Sequence, residues 1–344
     1  MIGRLPATTA AALALSLAAG LPARADAVAD FYKGKQVSVV IGTSAGNDYD
    51  FRARLLARHM GRFIPGEPAL VPRNMPGAGG INAANWLANV APHDGTAIHL
   101  IMANMMGKQA IGVPGVKFDA RKFSWIGNTT STPNVTSSWH TSGVTRIEQV
   151  KERELIVGAP AGTAGEVYGA VMNALAGTKF KVVTGYPGGN EVNLAMERGE
   201  LQGRASNSWA SWKSTRPHWV SEKKLIVLVQ VALKRDPELK DIPTLIELVN
   251  NDLDKKLMAF LSAETAVARA LVAPPDVPAD RLDALRRAFD KTVRDPQFLA
   301  EAAKTGMDLQ PMSGEDAQPI AHGIVNTSPE VVEHARKVLG NLLR

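Results

Sequence analysis

Residues 37–60, VSVVIGTSAGNDYDFRARLLARHM, restrict the fold of this chain more than any other stretch. Residues 37–41 form a short, β-branched apolar run of the kind buried in a parallel sheet, and residues 42–48 supply turn-forming side chains. The spacing then becomes helical. Phe51, Leu55 and Leu56 fall where a buried face would lie, while Arg52, Arg54, Arg58 and His59 occupy other faces or the last turns, where cations suit the helix dipole. A strand that opens directly into a helix presents unpaired backbone N–H groups at the helix start, so this unit predicts a carboxylate or phosphate site.

Related units recur along the chain. Residues 69–71 predict a short strand, Pro76-Gly77-Ala78-Gly79-Gly80 a glycine-rich turn whose backbone a ligand can approach at Gly79, and residues 81–90 a helix. A third strand at 96–102 ends in Ala103-Asn104, with His99 as a structural histidine among apolar neighbours. Residues 105–124 lose periodicity and read as loop, and 124–139 read as an extended connection between domains. Residues 155–158 then run through Ala159-Pro160-Ala161-Gly162-Thr163-Ala164-Gly165 into a helix at 166–175. Two such helix starts facing one another would clamp a dicarboxylate. Further strands at 180–183 and 201–205 lead to turns at Tyr186 and at Ser206-Asn207-Ser208, positions at which open α/β sheets contact ligands. Trp209, Trp212 and Trp219 read as core, 225–233 as the return crossing, and 281–294, 297–305 and 330–343 as helices. Alternating strands and helices over 344 residues predict an α/β protein with room for two domains.

Composition narrows the function. Residues 1–25 read as an export leader: Arg4 precedes the apolar run TTAAALALSLAAGL, and Ala23-Arg24-Ala25 fits a cleavage site, with Ala25-Asp26-Ala27 as the alternative. The expected mature protein is exported and soluble and begins near Asp26 or Val28; the lack of cysteine leaves the compartment open and suits a bacterial periplasm. With no cysteine, disulfides, thiolate metal sites and a cysteine nucleophile are excluded. The formal charge of +6, to which Arg4 and Arg24 contribute, is spread without a dense Lys/Arg tract, which argues against nucleic acid and suits capture of a small anion. HExxH and Walker A motifs are missing, and Asp48 and Asp50 lack the further ligands that a calcium or magnesium site needs. No metal, cofactor or catalytic machinery is therefore expected; polar turns at strand ends favour reversible binding over catalysis.

Six motifs then fall in register: Gly42 to Ala57 with Asp50 and Ala53-Arg54-Leu55-Leu56-Ala57; Asn74-Met75-Pro76-Gly77-Ala78-Gly79-Gly80; Ala91-Pro92-His93-Asp94-Gly95; Tyr186-Pro187-Gly188-Gly189; Asp241-Ile242-Pro243-Thr244; and Ala273-Pro274-Pro275 with Val277-Pro278. In these the chain resembles the exported solute receptors of tripartite tricarboxylate transporters, the TctC or Bug-type proteins. The resemblance implies a periplasmic-binding-protein type II fold, in which residues 26–123 and 233–344 form a discontinuous first domain and 124–232 a second domain that includes both crossing segments. It further implies a cleft that closes by hinge motion on a small organic acid, and a monomeric receptor that hands its ligand to the membrane components of a transporter. An exported hydrolase or transferase, or a sensory receptor, on the same scaffold is the alternative.

Carried over by position, the ligand contacts implied are Ser44, Asn47 and Asp50 in the first loop, Thr163, Ala164 and Gly165 in the second domain, and Asn207; Gly79, Asn104 and Tyr186 at other strand ends complete the candidate set. Where the family has a run of glycines, this chain has Gly46-Asn47-Asp48-Tyr49. Asp48 would repel a carboxylate unless it turns away or caps the helix, and Tyr49 would add a ring or hydroxyl at the rim. An aromatic acid, or a ligand with an amino group for Asp48 or Asp50, therefore stays open. Asp48→Gly is expected to tighten dicarboxylate binding, and Asp50→Ala to weaken binding without unfolding the protein.

Overall fold

The computed structural model describes residues 22–340 and Leu342. Residues 1–21, the greater part of the expected leader, lie outside the described residues. A helix at Pro22–Tyr32 spans both expected cleavage sites, and its Val28 and Tyr32 are buried in the core beneath the first sheet.

The strands are β1 (Gln36–Ile41), β2 (Ala69–Asn74), β3 (Ala97–Leu100), β4 (Ser124–Asn128), β5 (Asn134–Trp139), β6 (Leu155–Pro160), β7 (Phe180–Tyr186), β8 (Gly203–Ser208), β9 (Leu225–Val231), β10 (Ala270–Ala273) and β11 (Met312–Ser313). They form one six-stranded sheet in the order β11-β4-β10-β3-β1-β2 and one five-stranded sheet in the order β7-β6-β8-β5-β9. Within the first, β1 runs parallel to β2 and β3, and β10 lies antiparallel between β3 and β4. The second has β6 parallel to β7 and β8, with β5 and β9 antiparallel at the other edge. This is a mixed α/β architecture of two sheets, as the sequence resemblance implies. Each sheet, with the helices packed on it, makes one lobe, and the carboxyl ends of the parallel strands point towards the other lobe, where open α/β sheets gather ligands.

The segment 124–139 is not one extended connection. Its first half is β4 of the first sheet, its second half is β5 of the second, and the crossing is confined to residues 129–133. Likewise the apolar run 225–233 is mostly β9, an edge strand of the second sheet. Residues 105–124 are not all loop: Met105–Ile111 is a helix whose Met105, Met106 and Ile111 are buried. Seven residues broken by Gly107 and Lys108 carry too little periodicity to be read in advance, and packing supplies what propensity does not. Two helices, Asp252–Ala263 and Gly314–Val325, have no counterpart in the sequence-based expectations.

One continuous core runs from Ile81, Met105 and Met258 in the first lobe to Val157, Tyr168 and Met172 in the second, and separate cores lie on the outer faces of the two sheets. Trp212 and Trp219 are buried in the outer core of the second lobe, with Trp139 edge-on to Trp219 at 4.5 Å, as expected of packing residues. His99 is buried with Nδ1 2.9 Å from the Val40 carbonyl, and burial pushes its pKa down to about 4, so it stays neutral and structural.

Candidate functional site

A cleft of about 400 Å³ lies between the sheets, walled by the turns that follow β1, β2 and β3 on one side and β6, β7 and β8 on the other. Ser44, Asn47, Asp48, Tyr49, Gly79, Asn104, Thr163, Ala164, Gly165, Tyr186 and Asn207 all line it. Asp50 does not.

The first wall is largely saturated by its own side chains. Asn47 is the N-cap of the helix Asp48–Met60: its Oδ1 accepts from the Tyr49 and Asp50 amides, and its Nδ2 donates to the Ser44 carbonyl. The helix start expected to receive an anion is thus partly occupied by an asparagine oxygen. Asp50 sits behind the loop, where it accepts from the Gly46 amide at 2.9 Å, Arg54 Nε at 2.9 Å and Asn74 Nδ2 at 3.0 Å. Burial opposes its charge, but these donors outweigh burial and hold its pKa below the usual range. It fixes the loop's shape from outside the cleft.

Asp48 neither points out to solvent nor caps the helix. It is buried between two arginines, accepting from Arg52 Nε at 2.9 Å and from Arg269 Nε at 2.6 Å. Against the cost of burial, the two guanidinium groups hold its carboxyl below its ordinary pKa. Arg52 is consequently buried, contrary to the sequence reading, and Phe51 is the residue turned outward, 45% exposed. The reason is the i,i+4 pairing of Asp48 with Arg52, which draws the arginine onto the inner face, where its Nη1 also donates to the Asp308 carbonyl. Tyr49 is held inside the first lobe: its hydroxyl donates to the Ala268 carbonyl at 2.9 Å, and the Arg269 guanidinium lies 4.0 Å from its ring centroid.

The second wall is more open. Thr163 precedes the helix Ala164–Ala176 without capping it, because its Oγ1 donates back to the Pro160 carbonyl at 2.7 Å. Gly188 precedes the helix Gly189–Glu197, again with no side-chain cap. Both helix starts border the cleft. Asn207 Nδ2 in this wall, and Asn104 Oδ1 facing it after β3 in the first wall, are buried and have no hydrogen-bond partner among the described residues. Unpartnered buried amide groups of this kind are costly unless a ligand or water completes them.

Four charged residues of the cleft region escaped the sequence reading: Arg204, Arg269, Glu264 and Lys108. Arg204 did leave a signal, as a lone charge within β8. The other three show their roles only through partners far away in sequence. Glu264 accepts from the Gly107 amide, and burial pushes its pKa up to about 8, with Gly107 and Lys108 opposing the rise. Lys108 Nζ donates to the Gly162 carbonyl at 2.7 Å and to the Gly79 carbonyl at 3.2 Å, tying the lobes together at one end of the cleft. A Cβ at Gly79, whose φ is 55°, would lie 2.0 Å from the Gly162 oxygen, so only glycine allows this approach. Asn190 Nδ2 bonds the Gly46 carbonyl, and Arg269 Nη2 bonds Ser208 Oγ, which make two further links between the lobes.

Comparison with known proteins places this arrangement. The family model described as "Tripartite tricarboxylate transporter family receptor" matches residues 53–336. The chain belongs to that receptor family. As a member it is a solute-binding receptor rather than an enzyme, and its setting is the periplasm. The receptor is 26% identical over 340 residues to a UPF0065 protein of Cupriavidus necator, with 94% of each chain covered. In fold it is similar to the periplasmic binding protein BugD (TM-score 0.69, 20% identity, 89% of this chain and 98% of that one) and to R. palustris Rpa4515 solved with adipate (TM-score 0.67, 19% identity, 89% and 98%).

Proposed function

We propose that this receptor captures a small organic acid, with dicarboxylates as the leading class, and delivers it to the membrane components of a tripartite tricarboxylate-type transporter. The observation that carries the reading is the pair of uncapped helix starts at Thr163 and Gly188, which border the cleft between the lobes. Backbone N–H groups and the positive helix end attract a carboxylate there without any covalent step. The adipate bound by a structural relative is a diacid of this kind. Asp48 presents little obstacle to an anion because Arg52 and Arg269 neutralise it, and Glu264 keeps its proton up to about pH 8.

The working parts follow from the topology. The first sheet with its helices forms one domain and the second sheet the other; residues 129–133 and the chain leaving β9 act as the hinge. Removal of a leader after Ala25 or Ala27 would retain Val28 and Tyr32, the buried residues of the first helix. The test is a thermal-shift screen of the purified mature protein over organic acids, with the ligand recovered afterwards. A saturable rise in melting temperature with unchanged ligand is the expected result; turnover of the acid would overturn the reading.

A further inference from the structure

We propose that Arg204 is a receptor for a second anionic group on the ligand, so that this protein selects diacids over monoacids of the same chain length; the inference rests on the organic-acid reading above.

Arg204 lies on β8 and lines the cleft, yet its side chain is almost entirely buried. Its hydrogen-bond partners are neutral. Nε donates to the Ser206 carbonyl at 3.1 Å, Nη1 donates to the Gly189 carbonyl at 3.3 Å and to Asn193 Oδ1 at 2.9 Å, and the guanidinium lies 5.2 Å from the Trp212 ring centroid. No carboxylate pairs with it among the described residues, and Nη2 has no acceptor there. This sets it apart from Arg52 and Arg269, which share Asp48. A buried cation without a counter-charge is unfavourable, and the consequence is visible in its acidity: burial, with Arg216 adding to it, pushes the pKa down to about 9. An incoming carboxylate would supply the missing charge.

Glycine lets the guanidinium pack closely against the helix start that borders the cleft. Gly189, the first residue of its helix, sits where a Cβ would lie 2.3 Å from Arg204 Nη2. Further along β8, Asn207 supplies a second donor, Nδ2, which is buried and lacks an acceptor among the described residues. Arg204, Gly189 and Asn207 all line the cleft that the Thr163 helix start also borders. A diacid can therefore put one carboxylate at a helix start and the other on the guanidinium. A monoacid of equal length leaves Arg204 without a counter-charge.

The neutral contacts to Gly189, Asn193 and Ser206 would also suit a residue that merely braces the helix against the sheet. The two roles separate in selectivity. We would titrate wild-type protein, Arg204→Gln and Gly189→Ala by calorimetry with succinate, glutarate and adipate, each against the monoacid of the same carbon number. Gly189→Ala matters because its backbone is helical and only the end of a flexible side chain has to move, so it displaces the guanidinium even where Arg204→Gln fails to fold.

Wild-type protein should prefer its best diacid over the matched monoacid by roughly 10- to 100-fold, the range for a hydrogen bond to a charged group. In the variants that ratio should fall towards one. A bracing role would leave the ratio unchanged, and an unchanged ratio, or a wild-type protein without preference, overturns the Arg204 inference while the receptor reading stands. Binding of none of these acids to wild-type protein overturns the organic-acid reading itself.

Discussion

The two walls of the cleft are built from the same unit, a strand running through a turn into a helix, and they use it in opposite ways. In the first lobe the turn after β1 is closed by its own residues: Asn47 caps the helix, Asp50 gathers Gly46, Arg54 and Asn74, and Asp48 is held between Arg52 and Arg269. In the second lobe the helices after β6 and β7 begin at Thr163 and Gly188 with no side-chain cap, and the nearby Arg204 has no acid partner among the described residues. The first wall is therefore largely satisfied by its own side chains, Asn104 Oδ1 apart, and the second is left with more unsatisfied groups. Ligand specificity follows from the unsatisfied groups, because only they gain partners when a ligand enters.

The most disruptive way to break this contrast is Asp48→Ala. It strands two buried guanidinium groups and should cost about 3–5 kcal/mol in denaturant unfolding, the range for removing one partner of a buried ion pair. Asp48→Gly, expected from sequence to tighten dicarboxylate binding, removes the same charge from Arg52 and Arg269, so both substitutions should lower stability. Asp50→Ala comes next, at about 2–3 kcal/mol, because a buried carboxylate accepting three donors is lost. Titration of that variant with adipate should show weaker binding through a loosened loop, since Asp50 does not itself border the cleft.

Glu264 offers a smaller effect with a clear sign. Its pKa rises from an ordinary 4.5 to about 8 on folding, so the native state keeps a proton that the unfolded chain releases. The stability this contributes is fully present below pH 4.5 and is lost as pH rises towards and through 8. Glu264→Gln keeps an acceptor for the Gly107 amide and removes the loss. Melting curves should show the variant more stable than wild type at pH 8, by on the order of 2 kcal/mol, and the two converging near pH 5. Smallest is Asn47→Ala, which uncaps the first helix at a cost of about 1 kcal/mol in denaturant unfolding. It also makes the first wall more like the second, so a gain in anion affinity at that helix start would sharpen the comparison.

Much of this was legible in the chain. The β1 unit, the strand-turn-helix at Thr163 and the glycine-rich turn at Gly79 are local, because capping, turn chemistry and apolar period act over a few residues. Helix boundaries at 164–176 and 279–292 differ from the sequence reading by only a few positions. What escaped is long-range. That Asp48 meets Arg269, 221 residues away, cannot be read from spacing alone, whereas its pairing with Arg52, four residues on, left a local signal. Burial of Glu264 against Gly107 is equally remote, at 157 residues. The departure at Asn47-Asp48-Tyr49 looked in sequence like the place where specificity is written. In three dimensions those side chains hold the first lobe together, and apart from Asn104 Oδ1 the free groups lining the cleft that are named above belong to the other lobe.

Amide hydrogen exchange with and without saturating adipate compares the two walls directly. The account predicts that protection rises at Ala164, Gly165, Gly189 and Asn190, whose helix starts lack side-chain caps, and changes little at Tyr49 and Asp50, whose amides already bond to Asn47. New protection confined to residues 44–50, or none at either wall, would contradict it.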